Sequence, residues 1–234
     1  PSWWLADGLT LMPLALDQAG STFVLFRKPA PAGAGAAPGE IPDPQFRSLL
    51  DIRGPWDVTF DPRWGGPDRP VTFGKLQDWS QRPEDPIRFY SGTATYRTTF
   101  GCPKEPNTEN GARRTYLDLG RVEVIAAVRL NGQDIGTLWK PPYRIDVTQA
   151  LRAGENTLDI NVVNLWVNRQ IGDETLPEDS DRTNKGTLNA WPAWLDEGKP
   201  SPTGRLTFTS WRLWKKDDPL QPSGLLGPVI LQPV

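Results

Sequence analysis

Proline and glycine occur so often along this sequence that they argue against a fold built on long helices. The chain has 25 Pro and 22 Gly among its 234 residues. Proline breaks the hydrogen-bond ladder of a helix and glycine costs helical stability, whereas both suit the turns of an antiparallel β protein. The sequence therefore favours an all-β fold.

Short strand-like runs recur between turn residues from Gly54 onward. Many short strands at this spacing are typical of a β-sandwich or jelly roll. The predicted strands are Trp56 to Phe60, Val71 to Leu76, Ile87 to Ser91, Thr93 to Phe100, Thr115 to Leu119, Ile125 to Leu130, Ile135 to Trp139, Tyr143 to Val147, Thr157 to Asn164, Leu206 to Trp214 and Val229 to Leu231.

Asn131-Gly132 is the strongest local signal, because a type I′ turn needs positive φ at both central residues and Asn-Gly adopts it at little cost. This pair should join the strand of Val128 to the strand of Ile135 as a hairpin. The alternation of Leu158, Ile160 and Val162 has a period of two and predicts one buried face.

The composition divides the chain into three parts. Residues 1–29 contain two short apolar runs and are predicted to be remnant strands, the terminal hairpin of a preceding β-sandwich domain. Residues 30–45 form a Pro/Ala/Gly-rich stretch that is typical of a linker. Residues 46–234 are predicted to form the jelly-roll domain, with Cys102 to Arg113 as a surface loop and Asn168 to Pro202 as a long functional or disordered loop.

Charge and hydropathy exclude two classes of partner. A net charge of −2 with scattered Lys and Arg gives no basic stripe for nucleic acid. No apolar run approaches the roughly 20 residues that span a bilayer, so we expect no membrane segment. The N-terminus lacks the pattern of a signal peptide, and we expect any export signal to lie upstream.

The sequence contains no His and a single cysteine, Cys102. An internal disulfide is therefore impossible, and the commonest general base and metal ligand is missing. This lowers the expectation of catalysis within the chain, although paired carboxylates could still hydrolyse glycosides.

Several segments resemble known glycoside hydrolases. The order Ser91–Phe100, Leu117–Gly120, Val128–Gly132, Pro142–Thr148 and Gly154–Leu158 resembles the sugar-binding domain of glycoside hydrolase family 2. A second set looks more like the C-terminal part of family 106 α-L-rhamnosidase-type enzymes, and Gly20–Arg27 is similar to the end of the sandwich that precedes their jelly roll. This second set is Trp56 with Trp64–Pro67, Asn164–Asp173 and Ser223–Val229.

The resemblance implies a galactose-binding-domain-like jelly roll without catalytic residues. Such enzymes carry their catalytic carboxylates in a TIM barrel, and this chain shows no alternation of strands and helices that could form one. The resemblance thus implies a non-catalytic module that packs beside the catalytic domain of the same polypeptide. It also implies a larger bacterial enzyme that is secreted or periplasmic.

Eleven Trp residues make sugar recognition a plausible role, because aromatic rings stack on the apolar faces of sugars while polar groups bond the hydroxyls. Trp56, Trp211 and Trp214 lie inside strand-like runs and are interpreted as core. Five further Trp residues lie at strand ends or in loops, where a binding role and a structural role are both open. These sugar-binding candidates are Trp79, Trp139, Trp166, Trp191 and Trp194.

The segment from Trp166 to Glu174 is the favoured site, because it brings amide, guanidinium and carboxylate groups to the end of a buried strand. Its polar candidates are Asn168, Arg169, Asp173 and Glu174. One alternative is structural, with an Arg169–Asp173 ion pair and Asn168 hydrogen bonds that only hold the loop. Another is that the segment contributes to the active site of a neighbouring barrel.

An acidic cluster follows in the same loop, and it could bind calcium or supply a glycosidase carboxylate pair. It lacks the Asp-x-Asp-x-Asp-Gly pattern of a calcium loop, and the flexible composition gives no defined carboxylate spacing. We therefore predict no metal and no cofactor, and we interpret the cluster as a solvated acidic loop. It consists of Asp173, Glu174, Glu178, Asp179 and Asp181.

Three hypotheses follow for the whole chain. The first is an ancillary module of a rhamnosidase-like glycoside hydrolase that supports the barrel and contacts carbohydrate, either a plant polysaccharide or a rhamnose-containing glycan. The second is a freestanding carbohydrate-binding module with its own aromatic site. The third is a purely structural domain without a ligand.

Overall fold

The fold is known from a computed structural model that describes residues 3–7, 9–14, 16, 20–28, 48–103 and 114–233. The described part is built from short strands with three short α-helices. The strands are β1 (Trp4–Ala6), β2 (Leu9–Leu11), β3 (Leu50–Asp51), β4 (Trp56–Phe60), β5 (Val71–Phe73), β6 (Thr93–Cys102), β7 (Thr115–Asp118), β8 (Arg121–Glu123), β9 (Ile125–Leu130), β10 (Gln133–Leu138), β11 (Arg144–Asp146), β12 (Gly154–Val163), β13 (Gly224–Gly227) and β14 (Ile230–Pro233). The helices are α1 (Asp85–Arg88), α2 (Val167–Asp173) and α3 (Ala193–Asp196).

Two antiparallel sheets form the sandwich. The larger has the strand order β10-β9-β12-β6-β4-β5, and the smaller has the order β11-β7-β14-β3. The long strands β6 and β12 pair over their whole length, from Thr93 opposite Val163 to Cys102 opposite Gly154. The predicted all-β sandwich is confirmed, and the Asn131-Gly132 hairpin joins β9 to β10 with φ of 54° and 80°.

The core lies between the two sheets as one continuous cluster. Trp56, Val58 and Phe60 point inward from β4, and Leu117 and Leu231 face them from the smaller sheet. The period-two alternation along β12 likewise buries Leu158, Ile160 and Val162, as expected of a strand with one buried face. The interpretation of Trp56 as core is confirmed, since its ring is fully buried.

Trp79 belongs to this core, so its assignment as a sugar-binding candidate is wrong. It is fully buried, and its indole Nε1 donates a hydrogen bond of 2.6 Å to the Tyr96 hydroxyl. Its ring stacks on Tyr96 with centroids 6.3 Å apart. A buried indole satisfied in this way has no surface to offer a ligand.

Two predicted strands are absent from the described structure. The run Ile87 to Ser91 starts inside α1 and not in a strand. Pro86 lies in the first turn of this helix, where proline is favoured. Leu206 to Trp214 has no strand partner beyond a single bridge between Thr187 and Trp211. Trp211 is consequently 55% exposed, so its interpretation as core is wrong, and Trp214 is only half-buried.

The N-terminal residues form a separate small hairpin. Among the described residues, strands β1 and β2 pair only with each other. The predicted runs are Leu9 to Leu16 and Ser21 to Arg27; β2 lies at the start of the first run, and β1 precedes both. The predicted linker, residues 30–45, lies outside the described residues, as does most of the Cys102 to Arg113 loop. None of the helices in the described ranges is long and apolar enough to cross a membrane.

Candidate functional site

A hydrogen-bond network holds the end of β12, where the favoured site begins. The Asn164 amide donates to the Tyr90 carbonyl at 2.8 Å and accepts from the Gly92 N–H at 2.9 Å. Both Asn164 and Asn168 donate to the Ser223 hydroxyl, at 3.1 Å and 3.0 Å. Asn168 also exchanges two hydrogen bonds with the backbone of Gln221. Because Asn168 is buried and its amide is saturated, it fixes the backbone and is not placed to contact a ligand.

Helix α2 occupies the start of the predicted long loop and carries Asn168, Arg169 and Asp173. Arg169 and Asp173 form an i,i+4 ion pair with Nε 3.0 Å from Oδ1, and their side chains are only 11% and 2% exposed. Asp173 Oδ2 also accepts hydrogen bonds from the N–H groups of Leu206 and Thr207 and from the Thr207 hydroxyl. These contacts agree with the structural alternative, in which the Arg169–Asp173 ion pair and the Asn168 hydrogen bonds hold the segment in place.

An ion network stabilises residues 174–214, which we call the lobe. Glu174 contacts Arg205 at 2.9 Å and Arg212 at 3.0 Å, and Glu178 pairs with Arg212 and Arg182. Arg182 and Arg205 also donate to backbone carbonyls, including those of Thr209 and Leu176. These guanidinium groups satisfy carbonyls that would be paired in a sheet, which explains how the lobe is ordered with little regular structure.

The acidic cluster is dispersed among these partners. Glu174 and Glu178 face arginines, Asp179 accepts from Ser180 and Ser201, and Asp181 accepts from Asn189. Within the described ranges, no three His, Cys, Asp or Glu side chains are grouped closely enough to hold a metal ion. A pocket between α2 and the lobe, lined by Gln170 and Arg205 among others, has a volume of about 20 Å³ and is too small for a sugar ring.

The aromatic surface of this region is an edge formed by Trp166 and Trp64. Their ring centroids lie 5.0 Å apart at an interplanar angle of 79°, and the two residues are 42% and 40% exposed. Gly65 allows the turn after Trp64 to approach the lobe, because a Cβ there would lie 2.8 Å from Leu206 Cδ1. With φ of 77°, this position also favours glycine. The exposed Leu165 and Leu206 extend the apolar surface.

The other Trp candidates lie apart from this edge or within the lobe. Trp191 is exposed and its ring is 5.6 Å from that of Phe208, while Trp194 packs edge-on against Phe208 and donates to the Asp179 carbonyl. Trp139 follows β10 and is largely exposed, without a ring contact to another candidate among the described residues. The structure therefore gathers Trp166 with α2, and Trp191 with Trp194, but does not bring Trp139 to either group.

Sequence reasoning missed Trp64 and Phe208 as members of these aromatic groups. The sequence places Trp64 only in the turn with Gly65-Gly66-Pro67, and this pattern does not show whether the ring is exposed. Its pairing with Trp166 depends on the tertiary fold. Phe208 lies within the predicted strand Leu206 to Trp214, and a strand prediction does not indicate that its ring contacts both Trp191 and Trp194.

The geometry defines a galactose-binding-like β-sandwich, and comparisons with known proteins agree. Residues 74–191 match the family model described as "Glycosyl hydrolase 2 galactose-binding domain-like". The chain belongs to this family of domains. The recognition of a sugar-binding-type domain from glycoside hydrolases is thereby confirmed.

Two relatives are much longer than this chain. A protein of Formosa agariphila that carries the provisional name β-glucuronidase is 46% identical over 179 residues, which is 76% of this chain and 15% of that protein. The solved rhamnosidase of Novosphingobium sp. PP1Y superposes with a TM-score of 0.75 at 33% identity, over 100% of this chain and 19% of its own. This chain thus corresponds to less than a fifth of either relative.

Proposed function

We propose that this chain is a non-catalytic module of an α-L-rhamnosidase-like glycoside hydrolase. It supports the catalytic barrel of the same polypeptide and contacts a plant or rhamnose-containing glycan. Membership of the galactose-binding-like family supports this proposal, together with the likeness to a rhamnosidase of which the chain covers a small part. The same likeness supports placing the whole enzyme in a secreted or periplasmic setting.

The observation that carries the glycan contact is the exposed Trp64–Trp166 edge on a rigid support. Trp166 directly precedes α2, whose position is fixed by the Asn168 amide and the buried Arg169–Asp173 pair. An aromatic surface held in this way loses little conformational entropy on binding. Its rings and the neighbouring Leu206 offer an apolar face of the kind that stacks on a sugar.

Isothermal titration of the 234-residue chain with rhamnogalacturonan I oligosaccharides tests this contact. Trp166→Ala and Trp64→Ala should each weaken binding about tenfold, equivalent to about 1.4 kcal/mol. Trp139→Ala is the matched control, because it removes an exposed Trp that touches neither ring, and it should leave the affinity unchanged. Equal loss in all three variants, or no binding by the parent chain, would contradict the proposed edge.

The absence of catalysis is tested separately. The isolated chain should not release the chromophore of an aryl α-L-rhamnoside, because we assign the catalytic carboxylates to another domain. Turnover by purified chain that survives removal of trace contaminants on a second column would contradict the non-catalytic assignment.

The purely structural role is the second candidate function. The burial of Asn168, Arg169 and Asp173 and their internal hydrogen bonds favour it for these three residues. It predicts that the 234-residue chain binds none of the rhamnogalacturonan I oligosaccharides, so that Trp166→Ala has no glycan affinity to change.

A further inference from the structure

The outer face of the six-stranded sheet carries a row of alternating charges. The strand registers place Asp57 opposite Arg97, Arg97 opposite Asp159, Asp159 opposite Arg129, and Arg129 opposite Asp134. The row therefore crosses β4, β6, β12, β9 and β10 and is about 19 Å long, at roughly 4.8 Å per strand.

Next to this row lies a second row with shorter side chains. Thr59, Thr95, Asn161, Ala127 and Thr137 are opposite one another in the same registers, on the same strands. The small Ala127 and the Thr95–Asn161 pair form the floor of a depression, and Arg97 and Arg129 stand beside it. Its volume is about 280 Å³, and Asp134 and Asp159 also line it.

The polar groups around the depression are held in place by hydrogen bonds to one another, and some of their donors and acceptors remain available to a ligand. Arg97 donates to both Asp159 oxygens, from Nε to Oδ1 at 2.6 Å and from Nη2 to Oδ2 at 3.2 Å, and Arg129 Nε donates to Asp134 Oδ1 at 2.9 Å. Thr95 donates to Asn161 Oδ1 at 2.8 Å. The Arg97 side chain is 64% exposed while Asp159 beneath it is 15% exposed, so guanidinium nitrogens remain at the surface. These nitrogens donate, and the carboxylate and amide oxygens accept.

The chemistry of this face selects among ligand classes. Three carboxylates and two guanidinium groups alternate along the row, and the single excess negative charge is too small a field to attract a polyanion or a polycation. Charged residues are depleted from the cores of protein interfaces, which argues against a protein partner. Closely spaced donors and acceptors match the hydroxyl groups of a neutral sugar.

We propose that this depression is a second carbohydrate subsite, which binds a neutral oligosaccharide through its hydroxyl groups. The oligosaccharide then crosses the strands, with one sugar ring over Ala127 and the adjacent sugar rings along the charged row. This subsite lies on the sheet face and is independent of the Trp64–Trp166 edge, since none of its residues belongs to α2 or the lobe.

The test is isothermal titration of the 234-residue chain with neutral galactan, arabinan, xylan and mannan oligosaccharides. Ala127→Tyr fills the depression with a residue that favours strands, and Asp159→Asn keeps the size of the side chain while removing its charge. We expect one oligosaccharide class to bind the parent chain and to lose at least tenfold in affinity in both variants. Thermal melts should show both variants folded.

Glu197→Ala is the matched control, because it removes an exposed carboxylate and its ion pair with Lys199 on the lobe, away from the depression, and should leave this affinity unchanged. Absence of binding by every oligosaccharide of the set would overturn the proposal. Unchanged affinity in a folded Ala127→Tyr variant would also overturn it, and it would identify the face as a solvated sheet surface.

Discussion

Asp173 connects helix α2 to the returning end of the lobe. One carboxylate oxygen contacts Arg169, and the other accepts three hydrogen bonds from Leu206 and Thr207. A buried carboxylate is tolerated when it is paired with a cation, and its removal leaves that buried cation without a partner. The residue therefore affects stability first and the proposed glycan-binding edge only through the position of α2.

Replacing Asp173 with Ala should lower the free energy of unfolding by about 3–5 kcal/mol, the range for breaking a buried ion pair. Urea unfolding followed by tryptophan fluorescence measures this change. Glu197→Ala removes an exposed pair with Lys199 and should cost less than about 1 kcal/mol. A similarly small effect at Asp173 would mean that water replaces its contacts.

At the scale of single elements, the β9–β10 hairpin is joined to the body of the sandwich by Asn131. Its Nδ2 donates to the Ala150 carbonyl at 2.7 Å and to Asn156 Oδ1 at 2.8 Å, and its Oδ1 accepts from the Thr157 N–H at 3.0 Å. The residue thus has two functions, since its φ of 54° also forms the turn.

Asn131→Gly separates these functions, because glycine keeps the positive φ but loses the side-chain hydrogen bonds. We expect it to lower the free energy of unfolding by about 1–3 kcal/mol, the cost of leaving a buried partner unsatisfied. Chemical denaturation provides the measurement. Gly132→Asn, with φ of 80°, is a control that changes the turn alone. Unaltered stability in Asn131→Gly would show that the turn geometry is the whole contribution.

The strands predicted correctly from the sequence are those in which burial of one face produces an alternation of apolar and polar residues. Strands β4 and β9 match their predicted bounds, and β6 and β12 differ by a few residues at their ends. The Leu206 to Trp214 run has a similar apolar content but lies on the lobe, where arginines from distant positions satisfy its carbonyls. No local pattern reports such long-range partners.

The candidate site was only partly predictable for the same reason. The sequence indicates that Trp166, Arg169 and Asp173 are close together, because they lie within one helical segment. It does not indicate that Arg169 and Asp173 are buried, nor that Trp64 meets Trp166, since these facts depend on how the lobe folds back. Trp79 shows the opposite error, because a loop position still brings its ring into the core.

For the molecule as a whole, the N-terminal segment presents an unusually apolar surface. Phe23 is 93% exposed, and large exposed apolar patches usually mark an interaction site. This exposure is what we expect if residues 1–29 are remnant strands of a preceding β domain, whose other strands would cover these side chains. The exposed side chains include Leu5, Leu9, Leu11, Leu14, Leu16, Phe23, Val24, Leu25 and Phe26.

A chain that begins at residue 48 should therefore retain the sandwich. Its first strand contacts are intact, because the Leu49 N–H donates to the Leu231 carbonyl at 2.8 Å. We expect the melting temperature to change by less than about 4 °C, equivalent to about 1 kcal/mol for a domain of this size. Differential scanning calorimetry measures this shift. The fluorescence of a dye that binds exposed apolar surface should fall, because the truncation removes the apolar N-terminal segment. Loss of a cooperative transition would show that the segment is integral to the domain.

The position of β14 has a consequence for how the domain is made in the cell. This strand comes last in the chain, yet it lies between β7 and β3 inside the smaller sheet. Contacts between distant parts of a chain slow folding, and domains generally fold as units during synthesis. The ribosome must therefore release residues up to Pro233 before the smaller sheet can close. Until then, β3 and β7 each have one edge without its β14 partner.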